Sequence, residues 1–389
     1  MQTRSFWKDE FRDSHVPSRD GRPGKTRLVQ LSFAVILATL AALTLPPLQT
    51  SISAESQDTP TVRISVLGLF HPHQLTVTAL PGQALVLHTP AGEFVLEKSS
   101  GTDSATLRLD NDSITLTAGT RTIRATRVTI TGRNTDPAGL LLSVPQKLTR
   151  RYRGTLEIRP FSGSLLAIVT MDRETAVASV LAAETTGDTP VEALKAEAIA
   201  IRSYFVAGRA RHHEFDFCDT THCQFLREPP SPASLAAKAV AATHGLVLAY
   251  DSQPFAAMYT RSCSGRTHTL AELHLPSSNY PYYTVECPHC RAHPVRWTTR
   301  ISAAAAPDLR ALDERARLNV VRRFGWGSVP SNDFTETKDG DSFILSGVGQ
   351  GHGLGLCQSG AKAMAQDGAT FQRILAHYYP NTSIVTWPG

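Results

Sequence analysis

Leu165-Leu-Ala-Ile-Val-Thr-Met-Asp-Arg-Glu-Thr-Ala-Val-Ala-Ser-Val-Leu-Ala-Ala-Glu184 changes its periodicity part-way along. Leu165 to Val169 is an apolar run of strand length, and with Gly154-Thr-Leu-Glu-Ile158 before it predicts two strands. Asp172 then stands where a helix N-cap is expected, ahead of a stripe Val177, Val180, Leu181 whose next member by helical spacing is Glu184. Gly187 suits the helix end. Thr189-Pro190-Val191-Glu192 opens a second helix with a capping-box pattern and Pro at its first position. Leu194, Ala198, Ile201 and Phe205 give that helix an apolar face. Strands passing directly into helices predict a mixed α/β domain from about residue 151 to 389.

Upstream the texture differs. From Thr61 to about Leu148 short alternating runs rich in Thr, Val, Ile and Leu recur: Val62–Leu67, Thr106–Leu109, Ser113–Thr117 and Val128–Thr131. Turn pairs Pro81-Gly82, Asn111-Asp112 and Ala118-Gly119 separate them, which predicts an antiparallel β-rich accessory module over 61–150. The expected fold class is therefore α+β, with an N-terminal β-rich module followed by a mixed α/β catalytic domain with a helical active-site groove. Further along, Pro307 to Arg323 is expected as a surface helix, and two short helices are expected near the C-terminus, one ending at Gly368 and one before Pro380.

The first residues carry a different message. Leu28 to Leu45 is an uncharged apolar run preceded by Arg22, Lys25 and Arg27 and broken by Pro46-Pro47. Eighteen such residues stand between a long signal-peptide core and a short membrane span. Residues 1–27 then form a cytoplasmic basic N-terminus, residues 28–54 a signal peptide or membrane anchor, and everything beyond is exported. Export would place the protein in the periplasm or cell envelope, either secreted or held at the inner membrane. Of the net charge of +5, seven Arg/Lys against four Asp/Glu up to Ala54 account for +3. The remaining +2 on a long chain gives no basis for nucleic-acid binding.

In an exported protein, thiols tend to pair or bind metal. The six cysteines are Cys218, Cys223, Cys263, Cys287, Cys290 and Cys357. Cys218-Asp-Thr-Thr-His-Cys223 with His212 and His213 just before it has the character of a zinc site, with a local disulfide as the alternative. Cys287-Pro-His-Cys290 adds either a four-cysteine site or a second local disulfide.

Glu184 is the candidate for chemistry. A carboxyl on the apolar side of a helix end is expensive to ionise, so burial raises its pKa toward what a general acid needs near neutrality. The alternative is a glutamate at a fraying end pointing to water, and spacing alone does not decide. Lys195 and Arg202, two turns apart on one helix face, would hold a substrate carboxylate or orient Glu184, or else be solvated charges. Tyr259 and the loop Ser262-Cys-Ser-Gly-Arg-Thr267 follow strand patterns at Gly245–Tyr250 and Phe255–Tyr259. A hydroxyl-rich loop suits hydrogen bonds to sugar and equally suits a tight turn, and Ser264 lacks the setting of a hydrolase nucleophile. Five glycines in Gly347-Val-Gly-Gln-Gly-His-Gly-Leu-Gly355 surround His352 and lead into Leu-Cys-Gln-Ser-Gly-Ala361. That run is expected to wall a site for something bulky and polar, and its spacing fits no nucleotide loop.

Taken in order, Val180–Glu184, Glu192–Tyr204, Cys218–Gln224, Ser262–Thr267, Pro330–Phe334, Gly349–Ala361 and Ile374–Pro380 resemble the stage II sporulation protein D / LytB family. The resemblance covers roughly Tyr152 to the end. It implies a peptidoglycan lytic transglycosylase with Glu184 on the catalytic position and Arg202 in the substrate groove. It further implies substrate contacts from Lys195, His222, Gln224, Tyr259, Ser264, Arg266, Thr267, His352 and Gln358. Zinc held by His212, Cys218 and Cys223 is implied by some members, as a structural ion not needed for the chemistry. The implied partners are peptidoglycan glycan strands, with a preference for strands lacking stem peptides, and a cell-wall amidase. Two departures stand out: Glu197 where many members have Gln, and Cys357 where many have Ser. Because LytB-type members enhance an amidase, a non-catalytic wall-binding enhancer is one alternative. A two-carboxylate hydrolase using Asp219 or Glu272 is the other.

Overall fold

Strand Thr61–Val66 pairs antiparallel with Ser164–Asp172, Thr61 opposite Asp172 and Val66 opposite Ala167. That pairing joins residues from both sides of the boundary expected at 150. In the computed structural model, which describes residues 60–133, 137–208 and 212–388, these residues form one compact unit. The basic N-terminus and the apolar run at 28–45 lie outside the described residues. Among the described residues no helix is long and apolar enough to cross a membrane.

Two large sheets build the first half. One has seven strands and interleaves Thr61–Val66, Leu85–Thr89, Gly92–Leu96 and Val128–Gly132 with Thr155–Phe161, Ser164–Asp172 and Phe217–Cys218. The other has six, running from Leu148–Arg153 across to Arg121–Ala125. The chain crosses from one to the other at Gly154. Alternate residues such as Leu75, Val77, Leu107 and Leu116 are buried, the period-two pattern expected of half-covered strands. The α+β class is as the sequence predicts.

Among the described residues seven α-helices follow: α1 (Arg173–Glu184), α2 (Val191–Ala207), α3 (Leu235–Ala242), α4 (Pro288–Ala292), α5 (Glu314–Phe324), α6 (Gln358–Gln366) and α7 (Phe371–Tyr378). Asp172 caps α1 by accepting from Thr175 N at 2.8 Å. Val177, Val180 and Leu181 are fully buried, each contributing about 1.5–3 kcal/mol to holding α1 on the core. α2 serves two cores at once. Leu194, Ala198, Ile201 and Phe205 face the sheets, while Ala193, Ala196, Ile199 and Ala200 pack with α7 residues Ile374, Leu375 and Tyr378. A helix apolar on nearly all sides is one buried on nearly all sides.

Four local expectations are corrected. Pro190 is the N-cap of α2 and not its first helical residue, and no side chain caps that end. Glu192 does not close a capping box; it accepts from Phe371 N and Lys195 Nζ. The surface helix begins at Glu314 and not at Pro307, because Asp313 caps it by accepting from Ala316 N at 2.9 Å. Phe255–Tyr259 is not a strand as a whole: only Gln253–Pro254 and Tyr259–Thr260 pair, and Met258 N turns instead to the Tyr282 hydroxyl at 3.0 Å.

Candidate functional site

Glu184 is the last residue of α1, where Thr185 Oγ1 closes the helix on Leu181 O at 2.6 Å. Its phase with the buried stripe turns the carboxyl toward α2 and α6. There a cavity of about 280 Å³ is lined by Glu184, Thr185, Glu197, Arg261, Gln358 and Lys362, among others. The carboxyl is half-buried. Burial pushes its pKa up to about 7, against the pull of the Arg261 and Arg227 guanidinium charges and the Gln358 amide. Arg261 Nη1 also donates to the Glu184 carbonyl at 2.6 Å, fixing the helix end that carries the acid.

A second carboxyl shares the cavity. Glu197, on α2, is 3% exposed, and Gln358 Nε2 donates to its Oε1 at 2.6 Å. Burial pushes it up to about 8; the Gln358 hydrogen bond opposes this and the nearby charge of Glu184 adds to it. Tyr259 lies close enough that burial and then the charges of Glu184 and Glu197 drive its hydroxyl far above the ordinary value. Its Oη donates to Gln224 Oε1 at 2.6 Å, while the buried Gln224 Nε2 has no hydrogen-bond partner among the described residues.

The glycine run does a different job from the one expected. Its residues do not line this cavity. A Cβ at Gly353 would lie 2.5 Å from His268 Cδ2, and one at Gly355 would overlap the Met258 carbonyl. Both adopt positive φ, so the run is glycine because it lies flat on the segment 258–268. It delivers Gln358 to the cavity. His352 is half-buried with its Nδ1 accepting from Leu354 N at 3.0 Å. Burial pushes its pKa down to about 4, so the imidazole is neutral near pH 7.

Several residues expected to touch substrate are engaged elsewhere. Arg202 is fully buried; its Nε and Nη2 grip Glu174 at 2.7 and 2.6 Å, and Nη1 donates to Leu246 O at 3.0 Å. It holds α1, α2 and the strand after α3 together and does not enter a groove. Lys195 pairs with Glu192 at 2.7 Å and lies over the Phe371 ring. Thr267 is buried, donating to Tyr283 O at 3.0 Å. Arg266 is tied to Glu272 at 2.8 Å. Ser264 is half-buried beside Gly349, outside the cavity. Neither carboxylate suggested for a hydrolase lines the cavity. Asp219, raised to about 6 by burial, accepts from Leu67 N and Arg150 Nη1. For Glu272, burial raises the pKa but is outweighed by the Thr269 N–H and Arg266, so it is lowered overall.

Two donor groups have metal-binding geometry. His212, Cys218, His222 and Cys223 place their ligand atoms within 4.8 Å of one another, with His212 Nε2 3.3 Å and His222 Nδ1 3.5 Å from Cys223 Sγ. A two-cysteine, two-histidine set suits zinc. His222, expected as a sugar contact, stands in this group as a fourth donor. Cys263, Cys287, Cys290 and Cys357 form the other group, equally close and fully buried, and able to hold a structural metal such as zinc. All six cysteines are free, so neither local disulfide forms.

Glu197 and Arg261 were not selected from the sequence. For Glu197 a signal existed: it lies three residues after Leu194 and four before Ile201, on the apolar face, as Glu184 lies on its own stripe. Arg261 had none, since its role depends on where a loop lands.

Fold and site together define an α+β protein whose helix-lined cavity holds two carboxyls of raised pKa. A family model described as Stage II sporulation protein matches residues 162–250, the span containing α1, α2 and the histidine–cysteine loop. Over those residues the chain is similar to that sporulation-protein family. It is 28% identical over 275 residues to an uncharacterized protein of Brachyspira hyodysenteriae, covering 61% of this chain and 73% of that one. It is 26% identical to the stage II sporulation protein D of Bacillus subtilis, over 54% of this chain and 73% of that protein. A 53-residue stretch is 43% identical to the amidase enhancer of the same organism, covering 14% of this chain and 8% of the enhancer.

Proposed function

We propose that the protein is an exported lytic transglycosylase that cleaves the MurNAc–GlcNAc β-1,4 bond of peptidoglycan glycan strands. The observation that carries this reading is the Glu184 carboxyl, raised to about 7 at the edge of a helix-lined cavity. Such a group is protonated in a useful fraction near neutrality and still basic enough once ionised. Glu184 gives its proton to the glycosidic oxygen as the C1–O bond breaks and positive charge develops on the MurNAc ring. The C6 hydroxyl of the same MurNAc attacks C1, and the Glu184 carboxylate takes the hydroxyl proton. The products are a 1,6-anhydro-MurNAc end and a free GlcNAc hydroxyl. One carboxyl serves both steps because the nucleophile is already on the sugar.

In this reading Gln358 and Arg261 orient the acid, and His352 and Tyr259 support the cavity wall. Glu197 stays neutral behind Glu184. The His212–Cys223 group would hold zinc as a brace, with no part in bond cleavage. Similarity to an amidase enhancer supports a wall amidase as partner, and the apolar run at 28–45 supports a cell-envelope location.

A second reading has one specific observation in its favour. A hydrolase uses two carboxyls, and Glu197 supplies the second one. Digesting purified glycan strands with the purified protein and weighing the products separates the readings. Anhydro ends are expected; reducing ends would establish the hydrolase. No cleavage at all would leave a wall-binding enhancer.

A further inference from the structure

The four buried cysteines come from three separate segments: Cys263 from the loop after Tyr259–Thr260, Cys287 and Cys290 from the start of α4, and Cys357 from the residue before α6. Cys290 Sγ and Cys357 Sγ are 3.5 Å apart. A disulfide requires about 2.05 Å. A tetrahedral zinc with Zn–S near 2.3 Å places its sulfurs roughly 3.8 Å apart, so the spacing fits the ion.

The surroundings suit thiolates. Cys263 N donates to Cys357 Sγ at 3.3 Å. Ser262 Oγ lies 3.6 Å from Cys290 Sγ, and Tyr378 Oη lies 3.5 Å from Cys287 Sγ. Donors aimed at ligand sulfurs are the usual outer shell of a metal site. Space has been cleared as well: a Cβ at Gly360 would lie 2.6 Å from Cys287 Sγ and overlap the Tyr378 hydroxyl.

We propose that Cys263, Cys287, Cys290 and Cys357 form a tetrathiolate zinc site, separate from the histidine–cysteine group, that braces the segments carrying Arg261 and Gln358 beside Glu184 and Glu197. Binding releases the thiol protons as the four sulfurs become ligands. Cys263 is two residues from Arg261, and Cys357 precedes Gln358 directly. The ion therefore joins the two stretches of chain that hold the cavity's acids. The metal site stands independently of the proposed reaction.

The test is zinc content of the full chain, read beside cobalt-substituted absorption spectra. The intact protein is expected to hold two zinc ions. The Cys218→Ser/Cys223→Ser variant is expected to keep one, and its cobalt form to show the sulfur-to-metal charge-transfer bands of an all-sulfur site. Cys290→Ser is expected to keep only the other. Should Cys290→Ser fail to fold, the complementary variant still decides. Loss of all metal from Cys218→Ser/Cys223→Ser, or peptide mapping that finds the four cysteines in disulfides, overturns the site. Bracing has its own readout. Removing zinc from Cys218→Ser/Cys223→Ser is expected to speed amide exchange at 258–264 and 356–360 while leaving 61–150 unchanged; equal exchange in both forms overturns it.

Discussion

Gln358 Nε2 donates to Glu197 Oε1 across 2.6 Å, tying the first residue of α6 to the middle of α2. The same amide pulls on Glu184, so one side chain links both acids. Their pKa values, about 7 for Glu184 and about 8 for Glu197, belong to a coupled pair that loses protons in two steps. Near neutrality Glu184 ionises first and Glu197 remains neutral behind it.

That order yields a discriminating substitution. Glu184→Gln removes the proton donor and is expected to slow cleavage by about 10²–10⁴-fold. Glu197→Gln keeps a neutral, hydrogen-bonding side chain of the same shape and is expected to retain activity within about tenfold of the parent, short of the loss expected on removing a general acid. Initial rates on purified glycan strands check both. If Glu197→Gln is as inactive as Glu184→Gln, the two-carboxylate hydrolase is the better account.

Both raised carboxyls cost stability as pH rises. Below the unfolded value of 4.5, both states are protonated and there is no penalty. Between that value and about 7 the unfolded chain loses its Glu184 proton first, so the Glu184 contribution declines through that window and is flat above it, while the Glu197 contribution declines on to about 8. At about 1.36 kcal/mol per unit, the decline from Glu184 is on the order of 3 kcal/mol. Glu184→Gln is therefore expected to be more stable than the parent at pH 8 and equal to it at pH 4, as measured by denaturant unfolding. His352 titrates in both proteins, so it cancels in the difference. An equal gain at both pH values would place the effect in packing.

Much of the site was legible because it obeys helical phase. Asp172 caps α1; Val177, Val180, Leu181 and Glu184 lie on it as the period requires, and the end of the helix places the acid. What the sequence hid depends on distance along the chain. Glu174 meets Arg202 across 28 positions, and Cys357 meets Cys290 across 67. No local pattern reports such pairings. The glycine run shows a related limit. Its composition announces close approach, but to the protein's own segment 258–268.

Arg202 tests that distinction. Its guanidinium is fully buried on the Glu174 carboxylate, and breaking a buried pair costs about 3–5 kcal/mol. Arg202→Met is expected to lower unfolding stability by that amount while the remaining folded protein keeps an unchanged KM and pH profile. A raised KM with unaltered stability would return Arg202 to the substrate groove.

Arg261 makes the opposite case, a charge that tunes the acid from the surface. Its guanidinium favours ionised Glu184, and the residue is exposed, so salt screens the attraction. Activity requires the protonated acid, so the alkaline limb of the rate profile follows the Glu184 pKa. In Arg261→Met that limb is expected to move to higher pH. In the parent, raising the ionic strength is expected to move it the same way, and in Arg261→Met the salt effect is expected to shrink. The plateau rate below that limb is expected to fall, because the Glu184 carbonyl also loses the donor that fixes the end of α1. Rate profiles at two salt concentrations measure all of this. A limb that moves to lower pH, or does not move, would mean that some group other than Glu184 sets it.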